Sequence, residues 1–288
     1  MKKFFIYWKL IVVGVLFFAN GCIWYAVYRE SPRDYVIVAF LNVGQGDAIY
    51  IESPTHTQMI IDGGPSNVIL SELNKVMPFY DRSIDMLLVT NPDTDHYAGF
   101  IDVVDHYKIG EVIEAGTQSD TKTYGHFENL IQEKKIKKTD GKRGMTVDIG
   151  GGAKLRILFP DQDVSTAKTN DGSLLAKLEY KNTSVMLTGD APRETEEYVM
   201  SLNSEEMKST VLKVGHHGSR TSASEVFVRS VNPQFAVISA GVKNRYGHPH
   251  KETTDLFEKL HIPVLGTYEK GTIIMKLDGT SIETSYKK

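Results

Sequence analysis

Thr90-Asn91-Pro92-Asp93-Thr94-Asp95-His96 follows the apolar run Asp85-Met86-Leu87-Leu88-Val89. The run is too short for a stable helix and reads as a buried strand. Pro92 blocks its regular continuation, and the segment from Tyr97 to Tyr107 reads as a helix. Two carboxylates and an imidazole are therefore expected in a tight loop at the C-terminal end of a strand, where open α/β architectures place ligand sites. Carboxylate oxygens and neutral imidazole nitrogens are ligands for zinc, manganese or iron. Aspartate is also an ordinary turn former, so a metal reading of Asp93, Asp95 and His96 needs support from the rest of the chain.

The 288 residues are enough for one large domain or two small ones with a substantial core. Hydrophobic residues make up 41% and charged residues 24%, an ordinary globular balance. A net charge of -3 supplies no global attraction for nucleic acid, so an anionic substrate needs a local basic site or a metal. A single cysteine, Cys22, excludes an intramolecular disulfide and a cysteine-rich zinc site.

Leu10 to Tyr28 carries no charge and is long enough to cross a bilayer. Lys2, Lys3 and Lys9 precede it, and Arg29, Glu30, Arg33 and Asp34 follow with mixed sign. The positive-inside rule then predicts a cytoplasmic basic N-terminus (1–9), a transmembrane signal anchor (10–28) and a domain outside the cytoplasm (35–288). A cleaved signal peptide is the alternative, although the apolar run exceeds what such a peptide needs. Lipidation of Cys22 after Ala19-Asn20-Gly21 is a third reading, opposed by the apolar Ile23 to Tyr28.

Beyond this segment, Val36 to Val43 reads as a strand interrupted by the turn Gly44-Gln45-Gly46-Asp47. Ala48 to Glu52 and Met59 to Ile61 follow, ending in Asp62-Gly63-Gly64-Pro65, where paired glycines permit close backbone approach. A helix is expected from Ser66 to Val76, capped by Ser66. Asp62 is either a turn residue or a hydrogen-bond partner that holds a residue of the metal loop. Next come a strand at Val112-Ile113, a helix from Phe127 to Lys134 and a strand from Lys154 to Phe159. The cluster Lys134 to Lys138 is expected to be a solvated helix end.

Thr169 to Ser173 forms a polar turn before the strand Leu174 to Tyr180, and Ser184 to Leu187 returns to Thr188-Gly189-Asp190. Pro192 opens a helix to about Met200. Val211 to Val214 leads into Gly215-His216-His217-Gly218-Ser219, and Thr221 or Ser222 is expected to cap a helix to Ser230. The last strong strand, Phe235 to Ser239, ends in a loop carrying Lys243, Arg245, Tyr246, His248 and His250. A helix from Lys251 to Leu260 and short strands around Val264, Ile273 and Ser281 complete the reading. Polar strand ends thus recur at 62, 93–96, 190, 216–217 and 248. A sandwich of two sheets flanked by helices gathers such ends along one edge. Acids and imidazoles collected there suit one or two divalent cations, which activate water and screen phosphoryl charge. Ser219 and Ser173 sit in no nucleophile-elbow pattern, which disfavours serine catalysis.

Six motifs in order carry a family resemblance: Asn42-Val43-Gly44-Gln45-Gly46-Asp47-Ala48, Ile61-Asp62-Gly63-Gly64, Asn91-x-Asp93-x-Asp95-His96, Leu187-Thr188-Gly189-Asp190, Val214-Gly215-His216-His217-Gly218-Ser219 and Tyr246-Gly247-His248-Pro249. From about Val36 onward the chain resembles the metallo-β-lactamase superfamily, specifically the extracytoplasmic hydrolase domain of ComEC-type DNA-uptake proteins. The resemblance implies an αββα sandwich of the α/β (α+β) class, with metal at the shared edge. It implies that Asp95, His96 and His217 form one metal site with Asp190 bridging, and places Asp93 in the same ligand motif. It puts His216 beside a substrate phosphate and His248 on the far wall as a substrate contact or proton donor, so that Asp95, His216 and His248 are the catalytic candidates. Asp62, Asn91, Asn170 and Ser173 become supporting residues. Ser219, Arg220, Lys243, Arg245 and Tyr246 become substrate contacts.

The chain departs from the superfamily pattern His-x-His-x-Asp-His at Asn91 and Asp93, and no histidine occurs between His126 and His216. Asn and Ser near Asn170 and Ser173 are shared with ComEC-like domains. Oxygen-rich coordination of this kind shifts preference toward manganese or magnesium over zinc, or leaves one site empty. The multi-helix channel of ComEC proteins has no counterpart among these residues, so DNA transport is not expected of this chain alone, and a separate uptake channel is the expected partner. The expected activity is a metal-dependent phosphodiesterase, in particular a nuclease on DNA. Hydrolysis of a phosphate ester on wall-polymer headgroups and a catalytically weakened DNA- or phosphate-binding module are the alternatives.

Overall fold

In the computed structural model, residues 2–29 and 31–288 are described, without the side chains of 2–6, 26, 28 and 29. Lys2, Lys3, Arg29 and Glu30, whose charges orient the N-terminal helix in the reading above, lie outside the described side chains. The chain divides into two units, Met1–Arg33 and Asp34–Lys288. The first is a single helix, α1 (Lys2–Arg29), with Tyr7–Tyr25 long and apolar enough to cross a membrane.

The second unit is built on two sheets. Strands β1 (Val36–Phe40), β2 (Ala48–Glu52), β3 (Gln58–Gly63), β4 (Ser83–Val89), β5 (Lys108–Glu114) and β6 (Lys137–Asp140) belong to the first, with α2 (Val68–Val76), α3 (Thr94–His106) and α4 (Lys122–Glu133) between them. The second sheet takes β7 (Thr146–Gly150), β8 (Ala153–Phe159), β9 (Leu175–Tyr180), β10 (Thr183–Leu187), β11 (Val211–Lys213), β12 (Phe235–Ile238) and β13 (Val264–Gly266). Its helices are α5 (Arg193–Leu202), α6 (Glu225–Val231) and α7 (Lys251–Lys259). The C-terminal hairpin β14 (Thr272–Leu277) and β15 (Ile282–Lys287) returns to the first sheet. The sheet orders are β15-β14-β1-β2-β3-β4-β5-β6 and β13-β12-β11-β10-β9-β8-β7.

Alternation along the strands assigns the layers. Val36, Val38 and Phe40 of β1 join Ile157, Leu178, Val185 and Val211 in a core between the sheets. Ala39 faces the other way, into a core with Ile69 and Leu73 of α2, Phe100 of α3 and Phe127 of α4. A third core sets Val199, Phe227 and Phe257 of α5, α6 and α7 against Leu212 and Ala236. The result is the expected αββα sandwich.

Several local expectations are corrected. α2 starts at Val68 after Asn67, so Ser66 is not its cap. α3 begins at Thr94, which puts Asp95 and His96 in the first turn of a helix and not in a loop. Ser224, not Thr221 or Ser222, caps α6 by accepting from the Phe227 N–H. Lys137 and Lys138 lie on edge strand β6, where Lys138 pairs with Glu114 and Glu128; lysine on an edge strand discourages further pairing.

Candidate metal centre

The turn after β4 is fastened by Asn91, which uses both ends of its amide. Its Oδ1 accepts the Asp93 N–H at 2.9 Å and its Nδ2 donates to Ser173 Oγ at 3.2 Å. Asp93, with extended backbone, then leads into α3. Glycine lets neighbouring backbone close on this helix start. A Cβ on Gly46 would lie 2.4 Å from the Asp95 carbonyl oxygen, and Gly46 itself has φ +144. The Asp47 N–H donates to that same carbonyl at 3.2 Å.

The second half of the chain contributes from β10 and β11. Asp190 follows Leu187-Thr188-Gly189, with Gly189 at φ 51. His216 and His217 form a tight turn after β11, with φ values of 47 and 54. Two consecutive side-chain-bearing residues in the left-handed region are costly. The turn is held by the His216 N–H on Gly189 O at 3.1 Å and the Ser219 N–H on His216 O at 2.8 Å.

These elements bring four donors together. His96 Nε2 lies 3.1 Å from Asp190 Oδ2, and His217 Nε2 lies 3.3 Å from Asp95 Oδ2 and 3.6 Å from Asp190 Oδ2. Two ligand atoms bound about 2.0–2.1 Å from one tetrahedral ion stand roughly 3.3–3.4 Å apart, so the spacing fits a divalent cation. The buried atoms His96 Nε2, His217 Nε2 and Asp190 Oδ1 have no hydrogen-bond partner among the described residues. Buried polar atoms are normally satisfied, and a shared ion would satisfy these. Asp95, His96 and His217 form one group able to hold a metal; Asp47, Asp190 and His217 form another.

Each imidazole is aimed by its other nitrogen. His96 Nδ1 lies 2.8 Å from Asp62 Oδ2, and Asp62 is itself held by the Thr90 N–H and hydroxyl at 2.8 and 2.7 Å. His217 Nδ1 lies 3.1 Å from Ser239 O and 3.2 Å from Asp47 Oδ1. Asp47 Oδ2 in turn accepts from Lys213 Nζ at 2.7 Å, with both side chains buried. Such partners fix the tautomer and direction of a ligating imidazole.

The buried carboxylates and imidazoles shift one another's protonation. Burial opposes a charged His96, but Asp190 and Asp62 outweigh it and raise its pKa well above the ordinary value. Burial likewise opposes the His217 cation, yet Asp190 and Asp47 lift its pKa to about 10. For Asp47, Lys213 and His217 overcome burial and hold the carboxyl at about 2. Asp190 is driven far below the carboxylate range against its burial by His96 and His217.

His216 and His248 stand beside the four donors. His216 Nε2 is 3.9 Å from Asp190 Oδ2, with 28% of its side chain exposed, and its Nδ1 pairs with Thr221 Oγ1 at 3.2 Å. The His248 ring lies 5.4 Å from that of His216, and its Nδ1 is 3.4 Å from Gln45 Nε2. Burial and the His217 and His216 charges push His248 down to about 4, so it is neutral at pH 7. An open cleft of about 470 Å³ adjoins Asp95, lined by Gln45, Pro65, Thr94, Asn244, Arg245 and Tyr246.

Other candidates sit differently. Asp93 Oδ2 accepts from Thr169 Oγ1 at 3.0 Å, and Asp93 belongs to none of the groups able to hold a metal among the described residues. Asn170 Oδ1 is buried with no hydrogen-bond partner among the described residues, and Ser173 supports Asn91. Ser219 is buried and fastens its own turn through Thr221, Arg220 leans toward Glu252 at 3.9 Å, and Lys243 is exposed on the Tyr246 loop. Asp47 and Lys213 were not among the expected site residues. The available signal was Lys213 inside the apolar run Val211 to Val214, since a lysine in a buried strand requires a counter-ion.

The αββα fold and these side-chain groups able to hold a metal agree with a family match: the model of the metallo-beta-lactamase superfamily covers residues 41–242, so the chain belongs to that superfamily. Within it, the chain is 33% identical over 257 residues to ComE operon protein 3 of Bacillus subtilis, covering 82% of this chain and 32% of that protein. It is 23% identical over 252 residues to Competence protein ComA of Neisseria gonorrhoeae, covering 85% of this chain and 33% of that protein. The chain therefore spans about a third of the length of these relatives. Among solved structures, CmlA, a diiron β-hydroxylase from Streptomyces venezuelae, superposes with a TM-score of 0.57 at 12% identity, covering 88% of this chain and 54% of CmlA. That likeness is one of fold.

Proposed function

We propose that this protein is a membrane-anchored, metal-dependent phosphodiesterase, specifically a nuclease that acts on DNA outside the cytoplasm. The observation that carries the reading is the convergence of Asp95, His96, Asp190 and His217 beside a cleft bearing Arg245. These four residues would hold the ion. A bound divalent cation, manganese or zinc with magnesium as a further candidate, supplies charge that activates water and screens phosphoryl oxygens.

The remaining roles fall to the chain's own groups. Asp95, with 31% of its side chain exposed, is placed to accept a proton at the cleft. His216 is placed to hold a phosphate oxygen, and neutral His248 acts as a hydrogen-bonding contact. Arg245, Lys243 and Arg220 supply positive charge for an anionic backbone. The Arg245 guanidinium already covers the Tyr246 ring at 4.8 Å, which favours an anion in the cleft over a quaternary-ammonium headgroup. A role limited to capturing phosphate or DNA would not call for buried imidazoles aimed by Asp62 and Asp47.

The N-terminal helix would anchor the protein with residues 1–9 in the cytoplasm and residues 35–288 outside, where a separate uptake channel would be its partner. The test uses the full chain in detergent, stripped of metal and resupplied with manganese, magnesium or zinc. Cleavage of single- and double-stranded DNA is compared with cleavage of a small phosphodiester, for wild type, Asp190→Ala and His217→Ala. Metal-dependent DNA cleavage lost in both variants is expected. Turnover of the small diester alone, or DNA binding without turnover under any metal, overturns the nuclease reading.

A further inference from the structure

The domain exposes an aromatic pair at the end of its first sheet remote from the metal centre. Phe79 is 81% exposed and Tyr80 53%, which makes Phe79 the most exposed large apolar side chain in residues 34–288. They occupy the two central positions of a turn closed by the Asp81 N–H on Pro78 O at 3.0 Å. The rings meet edge to face, 5.4 Å apart. This tip is held firmly: Asp81 Oδ2 accepts from Gln58 Nε2 at 2.7 Å, and Asp81 Oδ1 accepts from the Ser83 N–H at 3.1 Å.

Strand register locates the tip. Ile37 pairs with Glu52, and Glu52 pairs with Gln58, so the start of β1 and the Gln58–Asp81 contact share one end of the sheet. Asp62 and Asn91 lie at or beyond the opposite ends of β3 and β4. Residues 30–35 are all that separate α1 from β1. Fully extended, that stretch spans about 20 Å. The chain that leaves α1 therefore enters the domain at the sheet end that carries the aromatic pair.

We propose that Phe79 and Tyr80 insert into the interfacial layer of the bilayer as a second, non-covalent attachment. Tyr80, a ring with one polar edge, favours this layer, and Phe79 adds apolar area to bury beside it. Nearby charge is mixed, with Arg82 against Asp81 and Asp85, so the contact relies on the rings and not on attraction to anionic lipid. Two attachment points at one sheet end turn the metal edge and its cleft toward the aqueous side, away from the lipid.

The test exploits the location of both tryptophans, Trp8 and Trp24, in the N-terminal helix. The full chain carrying Trp8→Phe, Trp24→Phe and Phe79→Trp is placed in phosphatidylcholine–phosphatidylglycerol vesicles with or without brominated acyl chains. Tyr80→Trp provides a second probe, and Val242→Trp, at a site 73% exposed in the loop beyond β12, provides the comparison. The expected result is blue-shifted emission quenched by bromine at positions 79 and 80, with unshifted, unquenched emission at 242. Water-like emission at 79 and 80 overturns the proposal, as does equal quenching at all three positions. A blue shift without bromine quenching also overturns it, because the pair is then covered by protein. A chain that fails to float with the vesicles does so as well.

Discussion

Replacing Asp47 by Asn tests the buried pair that aims His217. Lys213 is 1% exposed, and its other hydrogen bond goes to Val214 O at 3.0 Å. The substitution leaves an ammonium in the interior with only neutral acceptors and no counter-charge, a change that costs about 3–5 kcal/mol in comparable buried pairs. A domain of ordinary stability holds about 5–15 kcal/mol in total, so a large fraction would be lost. The assay is urea unfolding in the presence of a chelator, which removes any contribution from bound metal. The double variant Asp47→Leu/Lys213→Met separates charge burial from aiming. It should recover most of the stability, because both charges are gone. His217 Nδ1 would keep only Ser239 O as a partner, so metal affinity should remain about 10–100-fold below wild type. An Asp47→Asn midpoint equal to wild type would refute the energetic argument. Metal affinity restored in the double variant would refute the aiming argument.

Two further predictions concern protons. Burial raises Glu196 to about 8, against the hydrogen bonds it receives from the Ala223 and Ser224 backbone. A carboxyl with a raised folded-state pKa contributes stability that is complete below its unfolded value near 4.5 and is lost as pH rises through 8. Glu196→Gln should therefore gain on wild type by on the order of 3 kcal/mol between pH 5 and 8.5, read from paired unfolding curves; parallel curves would count against it. At the metal centre, His96 and His217 hold protons at pH 7 and must give them up to an ion. Loading one cation at pH 7 should release about two protons, and affinity should rise with pH. Calorimetry in buffers of different ionisation enthalpy measures that number, and a value near zero would contradict the assigned charge states.

The fold was legible because alternation and strand length are local signals, and because each apolar run ended in a polar residue of chemical consequence. Asp62 is an instructive case: its place at a strand end before two glycines left it either a turn residue or a partner of the metal loop, and its carboxylate lies 2.8 Å from His96 Nδ1. Helix starts were less legible. Asp93 ends up as the N-cap residue of α3 without a side-chain cap bond, and Pro92 marked the break two residues before the helix began. Asp47 escaped notice because a Gly-Gln-Gly-Asp turn looks complete in itself. Its partner Lys213 is 166 positions away in sequence, a distance across which no periodicity can link them.

The C-terminal hairpin has a consequence for how the protein is made. Until Thr272–Leu277 emerges and pairs with Val36–Phe40, β1 is an open apolar edge, and more than two hundred residues must be synthesised while it waits. Exposed edges of this kind recruit other chains, and such non-local pairing is slow to form. The candidate ligands are divided the same way, Asp95 and His96 from the first run and Asp190 and His217 from the second, so neither half of a nascent chain carries the whole set. During biosynthesis, closure of that edge and assembly of the candidate site thus both wait on late events.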